Sequence, residues 1–169
     1  MIVENRGGNF YRYRLKTAEG YGGVWKVVKE TVKAVLGKYR VGMMLFLDDL
    51  PLQLGAYHPV GTNNIVLNKR LVEMVEATTK SKLDVNAFVY SLLTHEYLHA
   101  LGYLSENEVR SLVQRIASES FGKDHVATTL AQTSPWTLIT RLPLDGVAEP
   151  KGTMEIVKDF ERSSQDYVR

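Results

Sequence analysis

The 169-residue chain contains no cysteine, which excludes disulfide staples and thiolate metal sites, so any metal must be held by nitrogen and oxygen. It has no stretch near the roughly 18 consecutive apolar residues of a membrane span, and Met1-Ile2-Val3-Glu4-Asn5-Arg6-Gly7-Gly8 lacks the apolar run of a signal peptide. The expected location is therefore the cytoplasm. There is no internal repeat and no low-complexity tract, and the length suits one domain with a sizeable core, being too short for two ordinary ones. Strong net charge is missing as well. The overall +2 nevertheless hides an asymmetry, because residues 1–40 carry nine Lys/Arg against three Asp/Glu, a net of +6 that leaves −4 for the remainder. A solvated helix face explains such a bias, and a basic face for nucleic acid or acidic lipid is the sharper alternative.

What is present is His95-Glu96-Tyr97-Leu98-His99, followed by Ala100-Leu101-Gly102-Tyr103. Positions i and i+4 share a helix face, so His95 and His99 can offer two imidazole nitrogens to one zinc ion while Glu96 stands beside the open side of the metal. The string would arise by chance in roughly one such chain in a hundred, so a helical context has to confirm it. Asp84 is a natural N-cap, and Val85, Phe88, Val89, Leu92 and Leu93 recur at helical spacing with neither Pro nor Gly before Gly102. Phe88, Leu92, His95 and His99 form one stripe, apolar at its start and coordinating at its end. Two buried histidines beside an unrelated glutamate are the plain alternative, but they would leave a carboxylate and two ring nitrogens to be satisfied separately inside an apolar helix.

Elsewhere, the alternation Tyr11-Arg12-Tyr13-Arg14 has strand period and predicts an edge strand or ordered arm, whose rings and guanidiniums could also grip a nucleic-acid strand through Arg12, Arg14 and Lys16. Val24–Leu36 reads as an amphipathic helix with Gly37 as its C-cap. Short strands are expected at Val41–Leu47, Leu52–Tyr57 and Ile65–Asn68, and a helix near Lys69–Ala77. The motif helix spans 85–101. Ser105-Glu106-Asn107-Glu108 is a capping box opening another helix that ends at Phe121-Gly122, and Asp124 can cap a short helix from His125 to about Ala131. From Ser134 the character changes: Trp136–Leu144 looks extended, Asp145–Gly152 looks like linker, and Met154–Tyr167 is a charged helix candidate. The expected organisation is α+β, a small three-stranded sheet packed against a central motif helix and further helices in residues 1–133, with 134–169 as a C-terminal tail.

Two histidines do not complete a catalytic zinc site, which normally has three protein ligands and a water. Six residues after His99 stands Ser105, so a third histidine in the metzincin position is absent. Glu119 lies twenty residues after His99, at the usual gluzincin spacing; Glu106 and Glu108 are nearer, Glu108 already being explained as the capping-box carboxylate; His125 is the fourth candidate. His58, before Pro59 in a loop, is read as no ligand.

The helix H-E-Y-L-H-A-L-G-Y, then S-E-N-E-V-R, with I-V-L-N shortly upstream, resembles the minigluzincins, compact soluble zinc metallopeptidases of prokaryotes. The resemblance covers roughly residues 24–133 and implies a histidine as third ligand, which points to His125. It also implies that Asn64, Ile65, Val66 and Leu67 form the edge strand alongside which an extended substrate pairs, and that the C-terminal segment can hold the enzyme latent as a zymogen. The expected function is zinc-dependent hydrolysis of a peptide or unfolded protein, with Glu96 taking the proton of a zinc-activated water and passing it to the leaving amine. A latent form would place Trp136–Leu144 or a tail carboxylate (Glu155, Asp159, Glu161 or Asp166) in the cleft, in a monomer or a tail-swapped dimer. The alternative from another class is a catalytically silent metal-bound or nucleic-acid-associated binding protein.

Overall fold

A computed structural model describes residues 7–135, 138 and 153–161, and among these residues six helices and four short strands are defined. The helices are α1 (Gly8–Thr17), α2 (Gly20–Leu36), α3 (Lys69–Thr79), α4 (Lys82–Ala100), α5 (Glu106–Phe121) and α6 (Val126–Thr133). The strands are β1 (Met44–Asp48), β2 (Ala56–Tyr57), β3 (Asn64–Asn68) and β4 (Glu155–Ile156). The class is α+β, with one small mixed sheet in the order β2-β3-β1-β4. β1 and β3 run parallel from Met44 opposite Asn64 to Asp48 opposite Asn68. β2 lies antiparallel on the outer side of β3, and β4 lies antiparallel on the outer side of β1. Ile65, Val66 and Leu67 are all buried, the continuous apolar run expected of an inner strand covered on both faces.

The motif helix α4 is the centre of the fold, packing against α1, α2, α3, α5, α6, β2 and β3. Being surrounded, it is apolar around most of its circumference, with Phe88, Tyr90, Leu93, Tyr97 and Leu98 all buried. It begins one turn earlier than its apolar periodicity suggests: Ser81 is the N-cap, its hydroxyl accepting the Asp84 N–H at 3.2 Å, so Asp84 sits in the first turn and is not the cap. The Ser105 cap of α5 stands as expected, accepting from Glu108 N–H at 3.4 Å.

Three expectations for the ends of the chain are corrected. The Tyr-Arg stretch is the helix α1 and not a strand, because Tyr11, Leu15 and Ala18, at helical spacing, are the residues it buries. Two of its cations are engaged internally, the Arg12 guanidinium donating to the Phe121 carbonyl and Arg14 pairing with Glu30 at 3.1 Å, while Lys16 and Tyr13 are exposed. α2 runs through Gly22-Gly23 from Gly20, and Gly22 is required there because a Cβ would stand 2.6 Å from the Asp159 carbonyl oxygen. That carbonyl belongs to the tail, where residues 153–161 form β4 and a turn, not a helix. Phe160 stacks on Trp25 at 4.6 Å, Val157 N–H donates to the Leu45 carbonyl, and Glu161 pairs with Lys29 at 2.6 Å while accepting the Met43 N–H. This part of the tail is built into the core. The run Trp136–Leu144 apart from Leu138, the linker Asp145–Gly152, and Asp166 lie outside the described residues. Among those described, no helix is long and apolar enough to cross a membrane.

Candidate metal centre

The last turn of α4 and the first turn of α5 are joined by the five residues Leu101–Ser105, with Gly102 at φ 108°, a backbone conformation that favours glycine. Tyr103 N–H donates to the Leu98 carbonyl at 3.1 Å, so the chain reverses at once and returns the start of α5 to the motif. Glu106 therefore reaches both histidines: Oε2 lies 3.1 Å from His95 Nε2 and Oε1 lies 2.8 Å from His99 Nε2. One donor atom from each of these three residues lies within 4.8 Å of the others, a group that can hold a metal ion.

The tautomer of His99 supports that use. Its Nδ1 lies 2.7 Å from the Tyr103 carbonyl oxygen, which can only accept, so Nδ1 carries the proton and a neutral ring presents a bare lone pair at Nε2. A bare nitrogen and a carboxylate oxygen 2.8 Å apart are both acceptors, and they need a cation between them, either a proton or a metal ion. Burial pushes His95 below its ordinary pKa, against the pull of Glu106, so this ring tends to offer a lone pair too. Burial tends to raise the Glu106 carboxyl, but His95 and His99 win and hold it below the usual carboxylate range. Two imidazoles and one ionised carboxylate form a donor set that fits a borderline-soft divalent cation.

Glu96 is half-buried in the same cleft, and burial pushes its carboxyl up to about 7 despite the opposing influence of His99. The cleft, about 660 Å³, is bounded by Gln53–Ala56, by the α4 residues Ser91, Leu92, His95 and Glu96, by one face of α5, and by the C-terminal end of α6 with Ser134 and Pro135. Gly55 presses directly on α4, since a Cβ there would stand 2.9 Å from Leu92 Cδ2.

The other expected site residues lie elsewhere. His125 is not brought to the pair: α5 has 16 residues and carries the chain about 24 Å from Glu106 before His125 appears. There it caps α6, its Nδ1 accepting the Ala127 N–H at 3.1 Å and its ring stacked on Phe121 at 4.8 Å. α6 turns its other end to the cleft. Glu119 pairs with Arg115 on the exposed face of α5, and the Glu108 backbone serves the cap of that helix. Asn64–Leu67 is not an edge, because β3 is paired on both sides; the strand beside the cleft is β2, with Gln53–Gly55 leading into it. That lead-in is held by Asn68, whose amide donates to the carbonyls of Leu50, Pro51 and Leu54 and whose Oδ1 accepts the Leu50 N–H. Neither Asn68 nor the Tyr103 carbonyl stands out in the sequence, although an Asn closing an apolar strand before a helix is a recognisable cap signal. Compared with protein-family models, with curated proteins and with solved structures, the chain matches none.

Proposed function

We propose that the chain is a zinc-dependent peptide hydrolase of the zincin type, in which His95, His99 and Glu106 hold the ion and Glu96 handles the proton. The observation that carries this reading is the presence, in one cleft, of a converging two-histidine, one-carboxylate group and a second carboxylate whose pKa burial raises to about 7. A glutamate in the third position departs from the histidine implied by the minigluzincin resemblance, but it is a set that catalytic zinc sites use. When bound, zinc acidifies a water toward neutral pH and polarises a carbonyl.

The remaining work falls to the chain. Tyr103 orients His99 through its carbonyl and fixes which ring nitrogen faces Glu106. Glu96, poised near neutrality, accepts a proton from a water in the cleft and returns it to the departing amine, while the water oxygen attacks the scissile carbonyl carbon. Gln53–Ala56 forms one rim of the cleft and leads into the edge strand β2, and pairing along that edge would select an extended peptide over a compact small molecule. The test is Glu96→Gln, which keeps volume but cannot take the proton. Zinc content should stay at the parent level while cleavage of an unfolded protein falls by about 10²–10⁴. Unchanged cleavage would assign the proton to another group.

A further inference from the structure

The face that α5 turns to the cleft carries Glu106, Arg110, Val113 and Gln114, spaced i, i+4, i+7 and i+8. Glu106 reaches the two histidines, and the next turn, about 6 Å along the axis, brings an exposed guanidinium into the same cleft. The charges that line this cleft among the described residues are few. Glu106 is matched by His95 and His99, and Glu96 is the proton carrier, which leaves Arg110 as the one lining cation with no carboxylate opposite it: it makes no ion pair or hydrogen bond with any described residue. With a divalent cation on His95, His99 and Glu106, two carboxylates and one guanidinium, the cleft would carry a net positive charge and would favour an anionic ligand. A guanidinium recognises carboxylates specifically, through two parallel N–H···O bonds.

We infer that Arg110 is a specificity-determining residue that anchors a carboxylate of the substrate close to the bond to be cut, so that the preferred substrates are peptides with a carboxylate one or two residues from that bond. The carboxylate has two possible sources in a peptide, the α-carboxylate of its C-terminus or the side chain of an Asp or Glu. This rests on the hydrolase reading for the bound cation, which gives the cleft its net positive charge, and for the location of the scissile bond; the carboxylate contact itself is made by Arg110. Gln114, one turn further along the same face, extends the polar lining beyond the guanidinium and can meet the next peptide group.

The experiment uses the full-length Glu96→Gln chain loaded with zinc, so that peptides bind without being cut, and measures affinity by fluorescence anisotropy. Four labelled peptides of otherwise identical sequence are compared: one with a free C-terminal carboxylate, its amide, and two amidated forms with an internal Glu or Gln. One of the two carboxylate peptides should bind at least about tenfold tighter than its neutral twin, and which pair shows the difference identifies the source. Adding Arg110→Gln should reduce that preference to within about twofold while zinc content and helical circular dichroism stay at the parent level, and Arg110→Lys should restore part of it. No carboxylate preference, or a preference that survives Arg110→Gln, overturns the inference. Cleavage assays on the Glu96 parent separate the two readings. A zinc-loaded chain that cuts charged and neutral peptides equally, with or without Arg110, removes this inference and leaves hydrolysis intact. A chain that binds carboxylate peptides through Arg110 but cuts none removes hydrolysis, and with it the specificity role, and leaves Arg110 as a carboxylate-binding residue.

Discussion

The two sides of the sheet are finished differently. On the β1 side, the tail supplies β4, Phe160 is sunk against Trp25, and Glu161 joins Lys29 and the Met43 N–H, so the edge is paired and its anchor buried. On the β2 side, the strand is two residues long, and the segment leading into it borders an open cleft, braced from behind by the Asn68 amide. Exposed edges are ready templates for another extended chain. On the proposed reading, an extended ligand would lie on the β2 side, beside the metal-competent group.

The largest expected effect breaks the closed edge. Phe160→Ala removes an aromatic side chain that is 3 % exposed and should destabilise the protein by about 3–5 kcal/mol, measured by urea denaturation. For the same reason truncation after Thr133 should lower stability; a truncated chain that folds as stably as the parent would show the tail to be dispensable.

The open edge should show its cost in pH dependence. The Glu96 carboxyl is raised from its ordinary value of 4.5 to about 7, so its contribution to stability is fully present below about pH 4.5 and is lost as pH rises through 7. His95, held below its ordinary value, contributes in the opposite direction, its stabilisation being fully present above 6.5 and lost as pH falls below that value, so the comparison must be made against Glu96→Gln. In metal-free protein, the stability of Glu96→Gln relative to the parent should rise between pH 5 and pH 8 by on the order of 3 kcal/mol. A difference that does not change with pH would mean that the carboxylate is better solvated than its position in the cleft implies.

The smallest effect sharpens the contrast. Gly55→Ala introduces a Cβ close to the end of the Leu92 side chain, which can move, so stability should fall by no more than about 1 kcal/mol. Because Leu92 lines the cleft, KM for a peptide should change more than the unfolding midpoint does.

Much of this arrangement is legible in the residues. The buried run from Val85 to Leu98 announces a central helix, H-E-x-x-H places His95, Glu96 and His99, and the Ser105 cap marks where α5 begins. The third ligand is harder, because sequence spacing measures distance along the chain while coordination depends on how sharply the chain turns. Glu119 has the spacing usual in gluzincins and His125 the right chemistry, yet the tight reversal at Leu101–Ser105 brings Glu106 to the histidines first. Period-two alternation at Tyr11–Arg14 concealed a helix, because the burial of Tyr11 and Leu15 in the tertiary core overrides the local pattern. β4 was invisible for a related reason: two residues of strand give no periodicity, and only Phe160, an isolated aromatic in a charged segment, hints that the tail is anchored.

The central claim, that His95, His99 and Glu106 form the metal centre, is tested most directly by metal content. Zinc should be measured by elemental analysis after loading and extensive dialysis of the parent and of His95→Ala, Glu106→Ala, Glu119→Ala and His125→Ala. About one zinc per chain is expected in the parent, in Glu119→Ala and in His125→Ala, with strong loss in His95→Ala and Glu106→Ala, since each removes a donor atom of the group. A parent that takes up no zinc, or a Glu106→Ala chain that keeps it while His125→Ala loses it, would contradict the account.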